Sequence, residues 1–343
     1  MLNFLKKFIS IGLALLLVSG SLQACGNTEP QPTQPTTEPV VTQPAGEEKI
    51  LKVLTLGHSL TVDCGHMLAL IAAAEGYEHL KVGTLYYSGC PLPRHVQFLT
   101  DNSPEYNLYI SSAKTPNMIP EITNDVTMEY ALRLDYWDII IMQGGVFEIA
   151  EDKTYTNGNI QTIQKYVQEN CQNPNVQFAW HMAWAPPVDN SLRDQYPYPD
   201  NNTYYSSYIP YSDDRTTLYQ QIVKCVEKNI VTDETFQFVI PTGTAMENAL
   251  SSYLEEKDIH RDYVHASDLA RVMNSYLWFC KLTGVEELTE VKMDTIPVGF
   301  FKSTQGFEDR VLTDAEKAII LESVNNALKT PFAMTQSQYT TAP

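Results

Sequence analysis

Two short runs in this chain hold the residue types of nucleophilic catalysis. Gly57-His58-Ser59-Leu60 follows an apolar run and precedes a helical pattern. A serine in that place stands at a strand's end, with its N–H at a helix N-terminus, where partial positive charge favours an oxyanion. Gly57 permits the sharp turn. The plainer role for a serine at a helix start is an N-cap. Asp262-Tyr263-Val264-His265 lies in a loop just before a long helical pattern. A hydroxyl is a feeble nucleophile at its own pKa and needs an imidazole base, itself oriented by a carboxylate. An Asp and a His three apart on one turn can converge on a single serine. The plainer reading here is a solvated turn, with Ser267 capping the helix that follows.

The elements that must position these residues alternate. Apolar runs at 50–56 (ILKVLTL), 80–87, 137–142 (WDIIIM), 176–184 and 236–240 (FQFVI) read as strands. Helical spacing fills 62–74, 127–134, 160–170, 216–228, 244–254 and 269–282, the last closed by Gly284. Residues 106–111 alternate as in a small hairpin. Thr313-Asp314-Ala315-Glu316 is a capping box opening a helix to about 328. Strands alternating with helices predict a three-layer α/β/α fold around a mainly parallel sheet, spanning residues 49–330, with a tail at 331–343. Ligands of such sheets sit beyond the strands' carboxyl ends. The stretch 185–214, with five Pro and six Tyr in thirty residues, is too proline-rich for core and reads as a long substrate rim.

Taken together, a serine after the first strand and DxxH before the C-terminal helix of an α/β domain resemble the SGNH (GDSL-type) hydrolase superfamily. The resemblance covers roughly residues 52–284. It implies a serine esterase with Ser59 as nucleophile, His265 as general base and then acid, and Asp262 holding the imidazole. It also implies an oxyanion hole from the Ser59 N–H, a loop glycine after the second strand, and an Asn side chain after the third. Gly89, in Tyr87-Ser88-Gly89-Cys90, matches the glycine, which could also be a plain turn residue. The third block departs from the family: the chain has Met142-Gln143-Gly144-Gly145 and no Asn there. Gln143 carries the same amide donor and can replace it, or it can simply cap the strand end.

Other residues fall near the expected cleft. His181 is an alternative base or a substrate contact, or else a satisfied strand-end histidine. His95 follows Gly89 and could face the same cleft. Trp184 and Tyr196, Tyr198, Tyr204 and Tyr205 could stack on a sugar ring or pack on their own domain. His58 adjoins Ser59, but neighbouring side chains there point apart, which disfavours it as base. The reaction implied needs no cofactor or metal.

The charge balance, 41 acidic against 23 basic residues for a net of −18, argues against a nucleic-acid backbone binder and against docking on anionic lipid through a basic face. A hydrophobic share of 43% excludes wholesale disorder. Residues 1–24 read as a secretory leader: Lys6 and Lys7, an apolar run too short to span a bilayer, then Leu22-Gln23-Ala24-Cys25. That ending resembles a bacterial lipobox, with Cys25 as the lipid-bearing N-terminus; an ordinary signal peptide with a chance cysteine is the alternative. Residues 25–48, rich in Pro and Thr and without aromatics, read as a tether reaching on the order of 70 Å. The remaining cysteines, Cys64, Cys90, Cys171, Cys225 and Cys280, are odd in number and lack disulfide or zinc spacing. The expectation is an extracytoplasmic protein that touches membrane only through Cys25. Its partner would be an ester-bearing small molecule or glycan, with O-acyl groups such as acetyl on a carbohydrate as substrate. A non-catalytic glycan- or ligand-binding lipoprotein is the rival expectation.

Overall fold

β1 (Leu51–Gly57) is mostly apolar because it runs through the middle of the sheet, paired in parallel with β2 (Leu80–Tyr86) on one side and β5 (Ile139–Met142) on the other. The computed structural model describes residues 49–117, 120–146, 148–188, 214–297 and 309–343. The leader, Cys25, the tether and Tyr196, Tyr198, Tyr204 and Tyr205 lie outside them. After β1 come α1 (Ser59–Gly65), α2 (Leu68–Ala74), β2 (Leu80–Tyr86), α3 (Leu92–Asp101), β3 (Tyr106–Ser112), β4 (Glu121–Val126) and α4 (Met128–Leu134). β5 (Ile139–Met142), α5 (Asp152–Thr156), α6 (Asn159–Asn170), β6 (Gln177–His181) and α7 (Arg215–Val226) follow, α7 running on into a π-helical turn at Glu227–Val231. β7 (Phe236–Ile240), α8 (Thr242–Leu250), α9 (Glu256–Ile259), α10 (Asp268–Thr283), β8 (Thr295–Ile296), β9 (Arg310–Val311) and α11 (Asp314–Lys329) complete the described chain.

The seven-stranded sheet has the order β4-β3-β2-β1-β5-β6-β7, and β8 and β9 form a separate two-stranded ribbon. β1, β2, β5, β6 and β7 are parallel, while β3 and β4 turn back as an antiparallel edge. The order reverses at β1, whose successor β2 lies on one side and β5 on the other. Such a switch point opens a crevice beyond the carboxyl ends. Helices cover the sheet in two sets: α1, α2, α8, α10 and α11 pack together, as do α3, α4 and α6. The three-layer α/β/α arrangement predicted from the sequence is the one observed.

Several elements differ from the sequence reading. The helix expected at 62–74 is two, divided after Gly65. The hairpin expected near 106–111 is β3 paired with β4; β4 lies at the sheet's edge and exposes five of its six residues, so it shows no alternation. The loop expected at 185–214 starts inside the body, because residues 185–187 are buried. Its flanks meet at one carboxylate: the Val188 N–H donates to Glu256 at 3.0 Å, and Arg215 donates to Glu256 at 2.9 Å and to Glu247 at 3.1 Å. The tail at 331–343 returns along α8, where Thr335 N–H donates to Asn248 Oδ1 at 2.7 Å and Ser337 N–H to Ser251 Oγ at 2.8 Å.

Candidate active site

The turn after β1 is built around an absent side chain. A Cβ on Gly57 would come 2.1 Å from Thr61 Oγ1 and 2.6 Å from Gln143 Nε2. His58, fully buried, starts α1: its carbonyl accepts from Thr61 and Val62, and its Nδ1 accepts the Leu60 N–H at 3.4 Å. Nε2 of the same ring donates to Gly144 O at 3.1 Å. Burial pushes the pKa of His58 down to about 4, so the ring is neutral and both nitrogens are engaged. It is a cap and a brace, and no base. The capping role that a serine could have filled is therefore taken. Ser59 is half-buried, and its hydroxyl makes no hydrogen bond among the described residues.

Asp262 and His265 meet as their spacing predicts. The imidazole Nδ1 lies 2.8 and 2.9 Å from the two carboxylate oxygens of Asp262, one of which, Oδ1, also accepts the N–H groups of Val264 (3.0 Å) and His265 (2.8 Å). A carboxylate only accepts, so Nδ1 carries the proton and Nε2 is left to take one. Burial alone would raise the Asp262 carboxyl. The bond and charge of His265 and the two backbone donors outweigh it and hold the group well below the usual carboxylate range. Ser267 caps α10, as expected, by accepting from Ala270.

A residue the sequence reading passed over joins the two halves. Asp63 lies one helical turn beyond Ser59, is fully buried, and accepts the Ala266 N–H at 3.0 Å. Arg271 Nε donates to the same carboxylate at 2.8 Å, and Arg261 lies 3.4 Å from it. The loop bearing His265 is thus fastened to the helix bearing Ser59. No hydrogen bond joins Ser59 Oγ to His265. Catalytic hydrogen bonds commonly tighten only when substrate is bound.

Three amide donors stand around this turn. The N–H groups of Ser59 and Gly89 donate to nothing among the described residues, and Gly89 has a positive φ of 59°. The loop carrying Gly89 is held to the nucleophile turn by Tyr87 N–H on Gly57 O at 3.2 Å. Gln143 is buried, its Oε1 accepts from His181 Nδ1 at 2.9 Å, and its Nε2 has no partner among the described residues. A Cβ on Gly57 would meet that nitrogen at 2.6 Å, so the amide lies against the turn after β1.

Three residues expected to line the cleft are instead buried. His95 is on the buried side of α3, stacked on Tyr106 and bonded to its hydroxyl at 2.8 Å. Trp184 is buried, and its Nε1–H donates to Val264 O at 2.8 Å, so it buttresses the base loop and offers no face to a sugar. His181 is buried with its two nitrogens on Gln143 and, at 3.7 Å, the Cys64 thiol; it cannot touch substrate. Strand-end aromatics were legible as neighbours of the site, but what covers them was not.

A three-layer α/β protein with unpaired donors and an Asp–His pair at its switch point is the class these observations define. The family model of DUF4886, a domain of unknown function, matches residues 52–297, and the chain belongs to that family. It is similar in fold to a DUF4886 family protein from Bacteroides uniformis, with a TM-score of 0.65 and 24% identity over 83% of this chain and 97% of that one. Fainter likenesses are to a candidate SGNH hydrolase from Slackia heliotrinireducens (TM-score 0.40, 14% identity, 67% of this chain and 98% of that one) and to an acetyl xylan esterase (0.37, 11%, 68% and 100%). At those scores no chemistry transfers. No curated protein matches the sequence.

Proposed function

We propose that this protein is a serine ester hydrolase of the SGNH type, working through an acyl-enzyme. The observation that carries the reading is the Asp262–His265 pair, on a loop that Asp63 fastens to the helix of Ser59. Ser59 Oγ attacks an ester carbonyl while His265 Nε2 takes its proton. The carbonyl oxygen becomes an oxyanion facing the N–H groups of Ser59 and Gly89 and the amide of Gln143. Collapse breaks the bond to the alcohol, which leaves with the proton from His265. Water, deprotonated by the same imidazole, then attacks the acyl-Ser59, releasing the carboxylic acid and restoring the serine.

The sequence supports a setting for this chemistry: lipid on Cys25, a tether, and an extracytoplasmic body acting on O-acyl, chiefly acetyl, groups of a carbohydrate. Labelling cells with an alkyne fatty acid checks the anchor, since Cys25→Ala should lose the label. Ser59→Ala should abolish hydrolysis of p-nitrophenyl acetate while the thermal unfolding curve is kept; surviving activity removes Ser59 as nucleophile. The missing Ser59–His265 hydrogen bond favours a second reading, a non-catalytic glycan- or ligand-binding lipoprotein. A fluorophosphonate probe separates the two: covalent attachment at Ser59 supports the enzyme, and none supports the binder.

A further inference from the structure

We infer that His181 is a positioning residue whose proton on Nδ1 fixes the Gln143 carboxamide with its donor end toward the Ser59 turn. The inference rests on the ester-hydrolase reading and assigns a function to a histidine that cannot reach substrate. The two ends of a carboxamide are nearly equal in shape and opposite in hydrogen-bonding sense. Which end lies against Gly57 decides whether the site offers an incoming carbonyl oxygen a donor or a repelling lone pair.

The surroundings of His181 settle that choice. Its Nδ1 lies 2.9 Å from Gln143 Oε1, and its Nε2 lies 3.7 Å from Cys64 Sγ. Burial pushes the Cys64 thiol well up, so it keeps its proton and is a weak donor to Nε2. The same sulfur is hydrogen-bonded to the Thr242 side chain, whose hydroxyl oxygen accepts from Trp278 Nε1 at 3.2 Å and so keeps its own proton for the sulfur. That leaves the thiol proton for Nε2 and the ring's one proton on Nδ1, facing an amide oxygen. The ring stands edge-on to Trp278, with centroids 5.0 Å apart, and is fully enclosed. Burial also pushes its pKa down to about 3, so one proton is all it carries at neutral pH. What remains of Gln143 is an NH2 group, buried and without an acceptor among the described residues, close enough to Gly57 that a Cβ there would meet it at 2.6 Å. Buried donors are rarely left unpaired, and an oxygen arriving with substrate completes this one. With the opposite tautomer the NH2 would turn to Nδ1 and the carbonyl oxygen would face the site.

The experiment uses the whole chain with two substitutions. His181→Phe keeps a ring and removes the donor; His181→Asn restores an N–H near the position of Nδ1. Phe should lower kcat on p-nitrophenyl acetate by about 10²-fold, the scale of one lost oxyanion donor, with KM unchanged, and Asn should recover most of it. Independently, long-range 1H–15N spectra of the wild-type histidines should show the His181 signal, assigned by its absence in His181→Asn, as the Nδ1–H tautomer. An Nε2–H tautomer overturns the inference, as does a folded His181→Phe variant with unchanged kcat or with only KM altered. Should His181→Phe fail to fold, the wild-type tautomer decides. Wild-type hydrolysis that is indifferent to His181 sinks this inference alone. Absence of any Ser59-dependent hydrolysis sinks it together with the ester-hydrolase reading.

Discussion

The Asp63 carboxylate accepts the Ala266 N–H at 3.0 Å across 203 residues of sequence, fastening the base loop to the first helix. Asp63 is also the buried partner of Arg271. Asp63→Asn keeps the shape and an acceptor for Ala266 but strands the guanidinium. Breaking one side of a buried pair costs about 3–5 kcal/mol. Urea unfolding should show a loss on that scale, and a change below about 1 kcal/mol would mean that the pair does not hold the loop.

Gly57→Ala puts a methyl group where Thr61 Oγ1 and Gln143 Nε2 already are. Overpacking of this kind costs typically about 1–3 kcal/mol. The displaced amide should also lower kcat by about 10²-fold. Steady-state kinetics beside a thermal melt check both, and an active, fully stable Gly57→Ala variant contradicts the close approach of Gln143.

Asp262→Asn should leave the fold and lower kcat by about 10⁴-fold, because an amide no longer dictates which imidazole nitrogen is protonated. Its linkage has a definite sign. The native carboxyl is held below its ordinary 3.8, so the stability it contributes is present above pH 3.8 and lost as pH falls through the native value. Acid unfolding followed by circular dichroism should therefore begin less steeply below pH 3.8 in the Asn variant than in the wild type.

Four histidines are kept neutral by burial: His58 is pushed down to about 4, and His95, His181 and His260 to about 3. Below pH 6.5 the unfolded chain takes protons there that the native chain refuses, so stability falls as pH drops from 6.5 toward 4. Glu247, pushed up to about 7 by burial, works the other way between pH 4.5 and 7 and offsets part of the slope. Each net proton is worth on the order of 1.4 kcal/mol per pH unit. His260 has no partner for either nitrogen among the described residues, so His260→Leu should flatten the profile by about one proton and raise stability at pH 5. A pH series of urea midpoints checks this; an unchanged slope refutes it.

Where local chemistry decides structure, the sequence could be read closely. FQFVI gives β7 at its observed bounds, Gly284 ends α10 at φ 76°, and the box at Thr313 and Glu316 opens α11. The Asp262–His265 pair was legible because one short turn contains it. What escaped depends on distant partners. Asp63 reads as an ordinary helix acid until Arg261 and Arg271, some two hundred residues on, close over it. Trp184 reads as a sugar platform until Val264 O claims its indole N–H, and His181 as a substrate contact until the chain wraps Trp278 against it. Burial of a strand's last residues is decided by which loop lies over them, and no local pattern encodes that.

Glu256 grips Val188 on one side and Arg215 on the other, so whatever chain runs between them departs from and returns to nearly the same point. For such a closed excursion each doubling of length adds only ~0.6 kcal/mol of closure entropy. Insertions and deletions between those anchors are therefore cheap, and the strands beneath need not register them. The protein can vary the length of that stretch without renegotiating its sheet.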